Sequence, residues 1–327
     1  MTRRDPRPAR AAKAAGAADW RLIEQVLAGL TSSPKRLSPA YLYDRRGSEL
    51  FEAICGQPEY YLTRTETAIL ARHAAQMAAC IGPRALLLEP GSGSSRKTRL
   101  LLDALVDAVA YVPVDISRTH LLHAARALQA AYPRLEVLPV CADFTLSIEV
   151  PRPRRAASRA VVFFPGSTLG NFDPPEAVRL LERMRRAAGA GGALLVGIDL
   201  VKEPAVLERA YNDAAGITAA FNMNLLTRLN RELAADFDPA AFRHEALWVP
   251  AASRIEMRLV SLRSQAAHVA GRRIEFAAGE RWITEHCHKY TAESFARQAR
   301  AAGWTPRRSW TDPLGYFSVH YLESETV

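Results

Sequence analysis

Hydrophobic residues recur along the chain in short continuous runs that end in glycines, acids or small polar residues. Five such runs occupy Leu86–Leu88, Tyr111–Ser117, Leu135–Ala142, Ala160–Phe164 and Ala193–Leu200. Stretches predicted to be helical separate them, and the first of these helices is predicted over Thr98–Val109. Continuous apolar runs are typical of strands that are buried on both faces, and their alternation with helices predicts a parallel, doubly wound α/β sheet.

The alternation stops after Val201 and resumes near the end of the chain. The part in between is first helical and then strand-like, at Ala205–Ala214, Ile217–Leu233, Ala246–Val249, Arg254–Ser264 and Arg273–Phe276. Beyond it, a helix at Thr291–Ala302 and strands around Arg307–Asp312 and Tyr316–Leu322 return to the sheet as an antiparallel pair.

This pattern predicts three parts. A basic, alanine- and proline-rich tail covers 1–18 and has the composition of a flexible segment. The main sheet domain covers 19–200 plus 291–327, and a smaller, inserted substrate-binding domain covers 201–290.

The first apolar run leads into a glycine-rich turn with the sequence LLLEPGSGSSRKT. Gly91 and Gly93 allow the backbone to approach a ligand closely because they carry no Cβ. A dinucleotide-binding turn (G-x-G-x-x-G) and a P-loop (G-x-x-x-x-G-K-[ST]) both require glycine at the position of Arg96, which argues against both. The remaining form, E-x-G-x-G from Glu89, is similar to the first motif of S-adenosylmethionine-dependent methyltransferases.

The next two strands also end in residues suited to a nucleoside. Asp115 follows the second strand, where a carboxylate accepts hydrogen bonds from ribose hydroxyls, a feature that fits NAD equally well. Asp143 and Phe144 follow the third strand and combine an acceptor with a ring that can stack on adenine. This pair favours S-adenosylmethionine, although each acid has helix capping as an alternative role.

The likeness extends beyond the methyltransferase core, because further motifs follow in order over nearly the whole chain after the first ~20 residues. They matter because the fold of the core alone would not determine a substrate. They are LYD with GSELF (42–51), PEYY (58–61), TRTE (63–66), GSGSSRKT (91–98), VPVDIS (112–117), GSTLGNF (166–172), DLVK (199–202), AYND (210–213), FNMN (221–224), NREL (230–233), RIEM (254–257) and WTD (310–312). With these motifs the chain resembles the histidine-specific α-N-methyltransferases of ergothioneine biosynthesis, which make trimethylhistidine (hercynine) from histidine.

The resemblance implies a Rossmann-like class I methyltransferase fold and assigns site residues where the motifs match. S-adenosylmethionine would be bound by Gly91, Lys97, Asp115, Asp143 and Phe144. L-histidine would be bound by Tyr60, Gly166, Asn171, Tyr211, Met257, Glu285 and the residue at 287. The catalytic roles would belong to Tyr43, Asn171 and Tyr211, which we expect to orient the amine and carboxylate of the substrate.

The chain departs from the family pattern at Cys287, where the family has serine. The glutamate and serine of the family are implied to hold the imidazole, and a thiol is a larger, weaker hydrogen-bonding group than a hydroxyl. Methylation of an amine depends on alignment, which supplies effective molarities of roughly 10⁵–10⁸ M. No residue of the predicted site is an obvious strong base, and tyrosine faces would tolerate the quaternary ammonium product.

Composition adds limits on partners. The 327 residues, 49% of them hydrophobic, are enough for a large core, and no apolar run reaches the ~18 residues of a membrane span. The net charge of +9 raises the alternative of an RNA methyltransferase, but much of it lies in the tail and around 152–159 without a stacking-aromatic module. We expect a cytoplasmic monomer that binds neither nucleic acid nor membrane.

Two histidine pairs, His120 with His123 and His286 with His288, have no carboxylate-rich surroundings in the sequence, and we predict no metal. Three functions remain open at this point. The first is the histidine α-N-methyltransferase, the second a related methyltransferase for a different amino acid or amine, suggested by Cys287, and the third a noncatalytic binding protein with the same fold.

Overall fold

The computed structural model describes residues 17–93 and 95–325, so almost all of the tail predicted over 1–18 lies outside the described residues. The helices are α1 (Ala17–Thr31), α2 (Arg45–Cys55), α3 (Tyr61–Ile81), α4 (Arg96–Leu102), α5 (Arg118–Ala131), α6 (Pro174–Ala188), α7 (Pro204–Ala210), α8 (Ile217–Glu232) and α9 (Ala292–Ala301). The strands are β1 (Ala85–Pro90), β2 (Ala110–Asp115), β3 (Glu136–Val137), β4 (Val140–Cys141), β5 (Arg159–Phe164), β6 (Ala193–Asp199), β7 (Phe242–Val249), β8 (Arg254–Ser261), β9 (Gln265–Val269), β10 (Arg272–Phe276), β11 (Arg281–His288), β12 (Trp304–Thr311) and β13 (Phe317–Ser324).

The chain divides into two compact units by its internal contacts. One, the sheet unit, consists of Leu62–Lys202 and Cys287–Val327. The other, the insert unit, consists of the described part of Met1–Tyr61 together with Glu203–His286. The prediction had placed residues 19–61 in the sheet domain, and the structure corrects this.

The correction has a physical basis in the contacts of Asp44. Its carboxylate accepts a hydrogen bond from the backbone N–H of Gly47 at 2.7 Å and so caps α2. The same carboxylate accepts from Asn224 at 2.8 Å and pairs with Arg231 at 2.7 Å, both on α8. These long-range bonds join the early helices to the inserted segment, which no local pattern could indicate.

The sheet unit contains an eight-stranded sheet. Seven strands follow the order β12-β13-β6-β5-β1-β2-β3, and the eighth, β4, pairs with the carboxyl end of β2. Strands β1 to β6 are parallel to one another, whereas β13 is antiparallel to both β6 and β12. The predicted doubly wound α/β fold is confirmed, including its terminal antiparallel pair.

Alternation of buried side chains explains why helices cover both faces of this sheet. Leu86 and Leu88 of β1 pack with α6 and α9 on one face. Leu87 points the other way and packs with α3, α4 and α5. A strand that buries both faces must be apolar throughout, as the sequence pattern of this half of the chain indicated.

Two local predictions in the sheet unit were wrong in extent. The third strand, predicted over Leu135–Ala142, is split into β3 and β4, because Pro139 between them has no N–H to donate to the ladder. The helix predicted over Thr98–Val109 spans Arg96–Leu102 only. Turns with Asp107 at a φ of 51° then return the chain to β2.

The insert unit combines helices α1, α2, α7 and α8 with a three-stranded sheet of order β11-β8-β7 and a separate β9–β10 hairpin. Strands β9 and β11 are absent from the predicted elements. Strand β11 is hard to detect because it buries polar residues, among them Thr284 and Glu285, so its sequence carries little apolar signal. Among the helices of 17–93 and 95–325, none is long and apolar enough to cross a membrane.

Candidate active site

The glycine-rich turn lies between β1 and α4 in the sheet unit, at the carboxyl end of the parallel strands. Gly91 has a φ of 70° and Gly93 a φ of 48°, both in the region that favours glycine. The N–H of Gly91 donates to Val114 O at 2.7 Å, which holds the turn against β2. A Cβ on Gly91 would lie 3.4 Å from the ring of Phe144, so the turn and this ring are in contact.

Asp115 also reaches this turn. One carboxylate oxygen accepts from the N–H of Ser117 at 2.8 Å, and the other accepts from the N–H of Gly93 at 3.3 Å. Ser117, rather than Asp115, precedes the first residue of α5 as its N-cap. Asp115 is therefore not the N-cap of α5, which was its alternative role.

Asp143 and Phe144 follow β4 and differ in their surroundings. Asp143 accepts from the N–H and the hydroxyl of Thr145, at 2.8 and 2.6 Å, in a local turn. Phe144 packs edge-on to Phe164 and Phe172, with ring centroids 5.9 and 6.4 Å apart. The structure thus places an aromatic ring, a carboxylate and a glycine turn around one position at the strand ends.

Glu89, the acid of the E-x-G-x-G motif, lies beneath the turn and is buried. It accepts from the hydroxyls of Thr98 at 2.6 Å and Tyr111 at 2.5 Å. Burial raises the pKa of Glu89 to about 7, although both hydrogen bonds act in the opposite direction. Glu89 therefore supports the turn from inside the core.

Lys97, at the start of α4, forms an ion pair with Glu66 of α3. Both carboxylate oxygens of Glu66 also lie 2.9 Å from the N–H of Gly166, in the loop after β5. The sequence reasoning missed Glu66 as a site residue. Glu66 is the only acid on α3 and belongs to the TRTE motif, but neither feature indicates which groups its side chain contacts.

The loop after β5 contains two residues with positive φ, Gly166 at 86° and Ser167 at 57°, and a short 3₁₀ turn at Thr168–Asn171. The hydroxyl of Ser167 accepts from the N–H of Asp199 at 2.9 Å. A Cβ on Gly170 would lie 2.9 Å from the Cys287 sulfur. The loop that carries Asn171 is therefore packed directly against Cys287.

Cys287 is buried beside a group of charges in the sheet unit. The ammonium of Lys289 donates to the sulfur at 3.2 Å and pairs with Asp199 at 2.8 Å. Lys202 pairs with the other oxygen of Asp199 at 2.6 Å, and burial lowers the pKa of Lys202 to about 8, even though Asp199 opposes this shift. A serine hydroxyl at 287 would meet the same ammonium, so the departure from the family pattern changes a group that is already hydrogen-bonded.

The insert unit holds a narrow cavity lined by Tyr43, Phe51, Ile54, Tyr60, Tyr211, Thr218, Phe221, Met257 and Glu285. Five of these were predicted for the substrate or for catalysis. Neighbouring aromatic rings meet edge to face, with centroids 5.4 Å apart for Tyr43 and Phe221 and 6.1 Å for Tyr60 and Tyr211. The cavity thus combines several π faces with one carboxylate, an arrangement that suits a cationic amine.

Tyr60 is buried in this cavity and keeps its proton. Burial raises the pKa of Tyr60 well above its usual value, and the neighbouring Tyr211, Cys55, Tyr43 and Glu285 act in the same direction. Its hydroxyl is therefore a hydrogen-bond donor at neutral pH and is not suited to act as a base.

The AYND motif positions Tyr211 at the turn between α7 and α8. Asp213 accepts from the N–H groups of Ile217 and Thr218, at 2.8 and 2.7 Å, at the start of α8. His244 Nε2 lies 2.9 Å from Tyr211 O, a geometry in which only the imidazole can donate. Burial lowers the pKa of His244, although its bond to Tyr211 opposes the shift, so a neutral imidazole secures this turn.

Each unit by itself therefore gathers part of the predicted site. In the sheet unit the structure brings together the predicted cofactor residues Gly91, Asp115 and Phe144. Separately, it places Lys97 near Gly166, and it packs Gly170, the residue before Asn171, against Cys287. In the insert unit it brings together Tyr43, Tyr60, Tyr211, Met257 and Glu285. The cavity residues that the sequence reasoning missed, such as Phe51 and Phe221, are apolar and carry no chemical signature.

The chain is similar to known proteins over most of its length. Residues 22–324 match the model of the family described as histidine-specific methyltransferase, SAM-dependent. The chain is 43% identical to histidine N-alpha-methyltransferase of Mycolicibacterium smegmatis over 312 residues, which cover 94% of this chain and 96% of that protein. It is 41% identical to histidine N-alpha-methyltransferase of Mycobacterium tuberculosis, over 91% of this chain and 93% of that protein. It is also 29% identical to ergothioneine biosynthesis protein 1 of Neurospora crassa, over 85% of this chain and 32% of that longer protein.

Proposed function

The chain belongs to the family of histidine-specific, S-adenosylmethionine-dependent methyltransferases, and from this premise we propose its reaction. It transfers methyl groups from S-adenosylmethionine to the α-amino nitrogen of L-histidine, three times, and yields trimethylhistidine (hercynine) for ergothioneine biosynthesis. The observation that carries this assignment to the residues is the aromatic cavity of the insert unit, with Glu285 among its lining residues.

The residues around the glycine-rich turn fit the parts of S-adenosylmethionine. Gly91 leaves room beside the ring of Phe144, which suits adenine, and the Asp115 carboxylate suits a ribose diol. Asp143 adds an acceptor at the same end of the sheet. The Lys97 ammonium suits the carboxylate of the amino-acid part, because charge-assisted bonds are the stronger ones.

Glu285 accepts the N–H of the substrate imidazole, and Tyr60 donates to an acceptor on the substrate. Tyr43 and Tyr211 contact the amine and carboxylate through their phenol oxygens, with Met257 packed beside them. Asn171 holds the amino group and carboxylate, and Gly166 and Cys287 line the substrate. Tyr43, Asn171 and Tyr211 carry catalysis by orientation.

The cofactor supplies an electrophilic methyl group on a sulfonium. The protein's contribution is to hold the unprotonated amine in line and to exclude water, since no strong base is present among the proposed site residues. Tyr60 remains protonated because burial raises its pKa, so it cannot remove a proton from the amine. The aromatic faces tolerate increasing methylation because a quaternary ammonium is attracted to π systems.

A second candidate is a related methyltransferase that acts on a different amino acid or amine. Cys287 favours it, because the thiol stands where the family has serine and is engaged by Lys289. We further propose a cytoplasmic monomer without a nucleic-acid partner, which size-exclusion chromatography with light scattering and fractionation would test.

The deciding experiment is a competition assay read by mass spectrometry. The protein receives S-adenosylmethionine and equal amounts of histidine, its mono- and dimethyl forms, tryptophan and tyrosine. We expect histidine to be consumed first and trimethylhistidine to accumulate. If another amino acid is methylated faster than histidine, the second candidate replaces the first. A thermal-shift screen of the same amino acids with S-adenosylhomocysteine provides a check that does not depend on turnover.

A further inference from the structure

Glu66 is the most deeply buried acid near the proposed cofactor site that the proposed mechanism leaves without a role. It lies on α3 with only 1% of its surface exposed. Its carboxylate forms an ion pair with Lys97 and accepts from the N–H of Gly166 with both oxygens at 2.9 Å. One side chain therefore connects α3, the start of α4 and the loop after β5.

The sheet provides a space for this carboxylate. Gly197 lies in the middle of β6, and a Cβ on it would come within 1.9 Å of a Glu66 oxygen and 3.0 Å of Glu66 Cδ. Any other residue at 197 would displace the carboxylate. The position of Glu66 is thus determined by the sheet as well as by its polar partners.

The ion pair leaves Lys97 able to bind a further anion. Its side chain is 19% exposed, and among the described residues Glu66 is the only group that accepts a hydrogen bond from its ammonium. An ammonium has three N–H groups, so two remain for a ligand. Glu89 is a second acid whose charge interacts with Lys97, and its carboxylate accepts hydrogen bonds from Thr98 and Tyr111.

We propose that Glu66 is a positioning residue for the cofactor: it holds the Lys97 ammonium beside the Gly166 amide, so that the ammonium binds the cofactor's amino-acid carboxylate. This inference rests on the proposed function, since it takes S-adenosylmethionine as the ligand. The lysine side chain is long and flexible, and a charge-assisted hydrogen bond to a buried carboxylate restricts its ammonium to one position.

Two ligands separate this role from a general structural one. S-adenosylhomocysteine carries the amino-acid carboxylate, whereas 5′-methylthioadenosine has the same adenosyl thioether without it. Their binding to the full chain is measured by calorimetry for the wild type, Glu66→Gln and Glu66→Asp. Glu323→Gln serves as the matched control, since Glu323 pairs with Arg159 at 3.3 Å in the same unit and is not among the proposed site residues.

Glutamine keeps an acceptor for Gly166 but removes the charge. We expect Glu66→Gln to bind S-adenosylhomocysteine at least tenfold more weakly than the wild type, because the Lys97 ammonium loses the charged partner that positions it. Binding of 5′-methylthioadenosine should match the wild type.

The proposal is overturned if Glu66→Gln weakens both ligands equally, or if its binding of S-adenosylhomocysteine equals that of the wild type. Should Glu66→Gln fail to fold, Glu66→Asp decides: its carboxylate lies one methylene further from Lys97, so we expect weaker S-adenosylhomocysteine binding and unchanged 5′-methylthioadenosine binding. Loss of both ligands in Glu66→Asp overturns the proposal. If the wild type binds neither ligand, the assigned cofactor itself is wrong, an outcome distinct from any failure of Glu66.

Discussion

Replacement of Asp115 by alanine tests the proposed cofactor site most directly. The Asp115 carboxylate is half-buried at the end of β2, with one oxygen on the Ser117 N–H and the other on the Gly93 N–H. A carboxylate oxygen accepts more than one hydrogen bond, so both oxygens can still bind a ribose diol. The substitution would remove the acceptors for the diol and loosen the turn.

The expected loss follows from the number and type of these bonds. A hydrogen bond to a charged group contributes about 1.5–3 kcal/mol, and two such bonds to a half-exposed carboxylate give about 2–4 kcal/mol after allowance for solvent. This corresponds to a loss of roughly 30- to 900-fold in affinity. Asp115→Asn keeps the size of the side chain and one acceptor, so its loss should be intermediate.

Calorimetry with S-adenosylhomocysteine measures these affinities, and thermal unfolding without ligand establishes that each variant is folded. NAD should not bind to the wild type, although its ribose offers the same diol, because Arg96 replaces the third glycine of a dinucleotide turn. Unchanged affinity in both Asp115 variants would refute the assignment of Asp115 to the cofactor. Tight NAD binding would refute the reasoning from the turn.

Three further predictions concern the substrate and the core. If Asn171 holds the amino group and carboxylate of the substrate, Asn171→Ala should lose methylation while its calorimetric affinity for S-adenosylhomocysteine is unchanged. Histamine, which lacks the carboxylate, should be a poor substrate of the wild type. Rapid histamine methylation would contradict this role of Asn171. If Glu285 is the main partner of the imidazole, Cys287→Ser should leave kcat/KM for histidine within about tenfold of the wild type, or ~1.4 kcal/mol. Glu285→Ala should lower kcat/KM far more. A sharp rise in histidine turnover for Cys287→Ser would instead show that the thiol has changed the specificity. Burial raises the pKa of Glu89 to about 7 from its usual 4.5. Between these two pH values the folded state therefore binds more protons than the unfolded state. The free energy of unfolding should fall as the pH rises through this window, by about 3 kcal/mol in total. Chemical denaturation of the wild type and of Glu89→Gln from pH 4.5 to 7.5 measures this fall, which should be smaller in the variant, and equal slopes would rule out Glu89 as its source.

The sequence by itself determined the parts of this protein that depend on local pattern. Strands buried on both faces must be apolar throughout, so the core strands were readable, and a turn that needs positive φ selects glycine, so Gly91 was readable as well. The acids at the strand ends followed from the rule that ligands bind at the carboxyl edge of a parallel sheet. The family likeness then indicated the substrate, which composition and periodicity could not.

Only the tertiary structure decided which distant residues share a site. Tyr43 and Tyr60 line one cavity with Tyr211 and Glu285 because the early helices pack on the inserted segment, a contact between parts of the chain that are far apart in sequence. Strand β11 escaped the pattern since its polar residues are buried. Glu66 could be recognised only once Gly197 was seen to leave room for its carboxylate, because such complementarity arises from packing in three dimensions and has no periodic trace in the sequence.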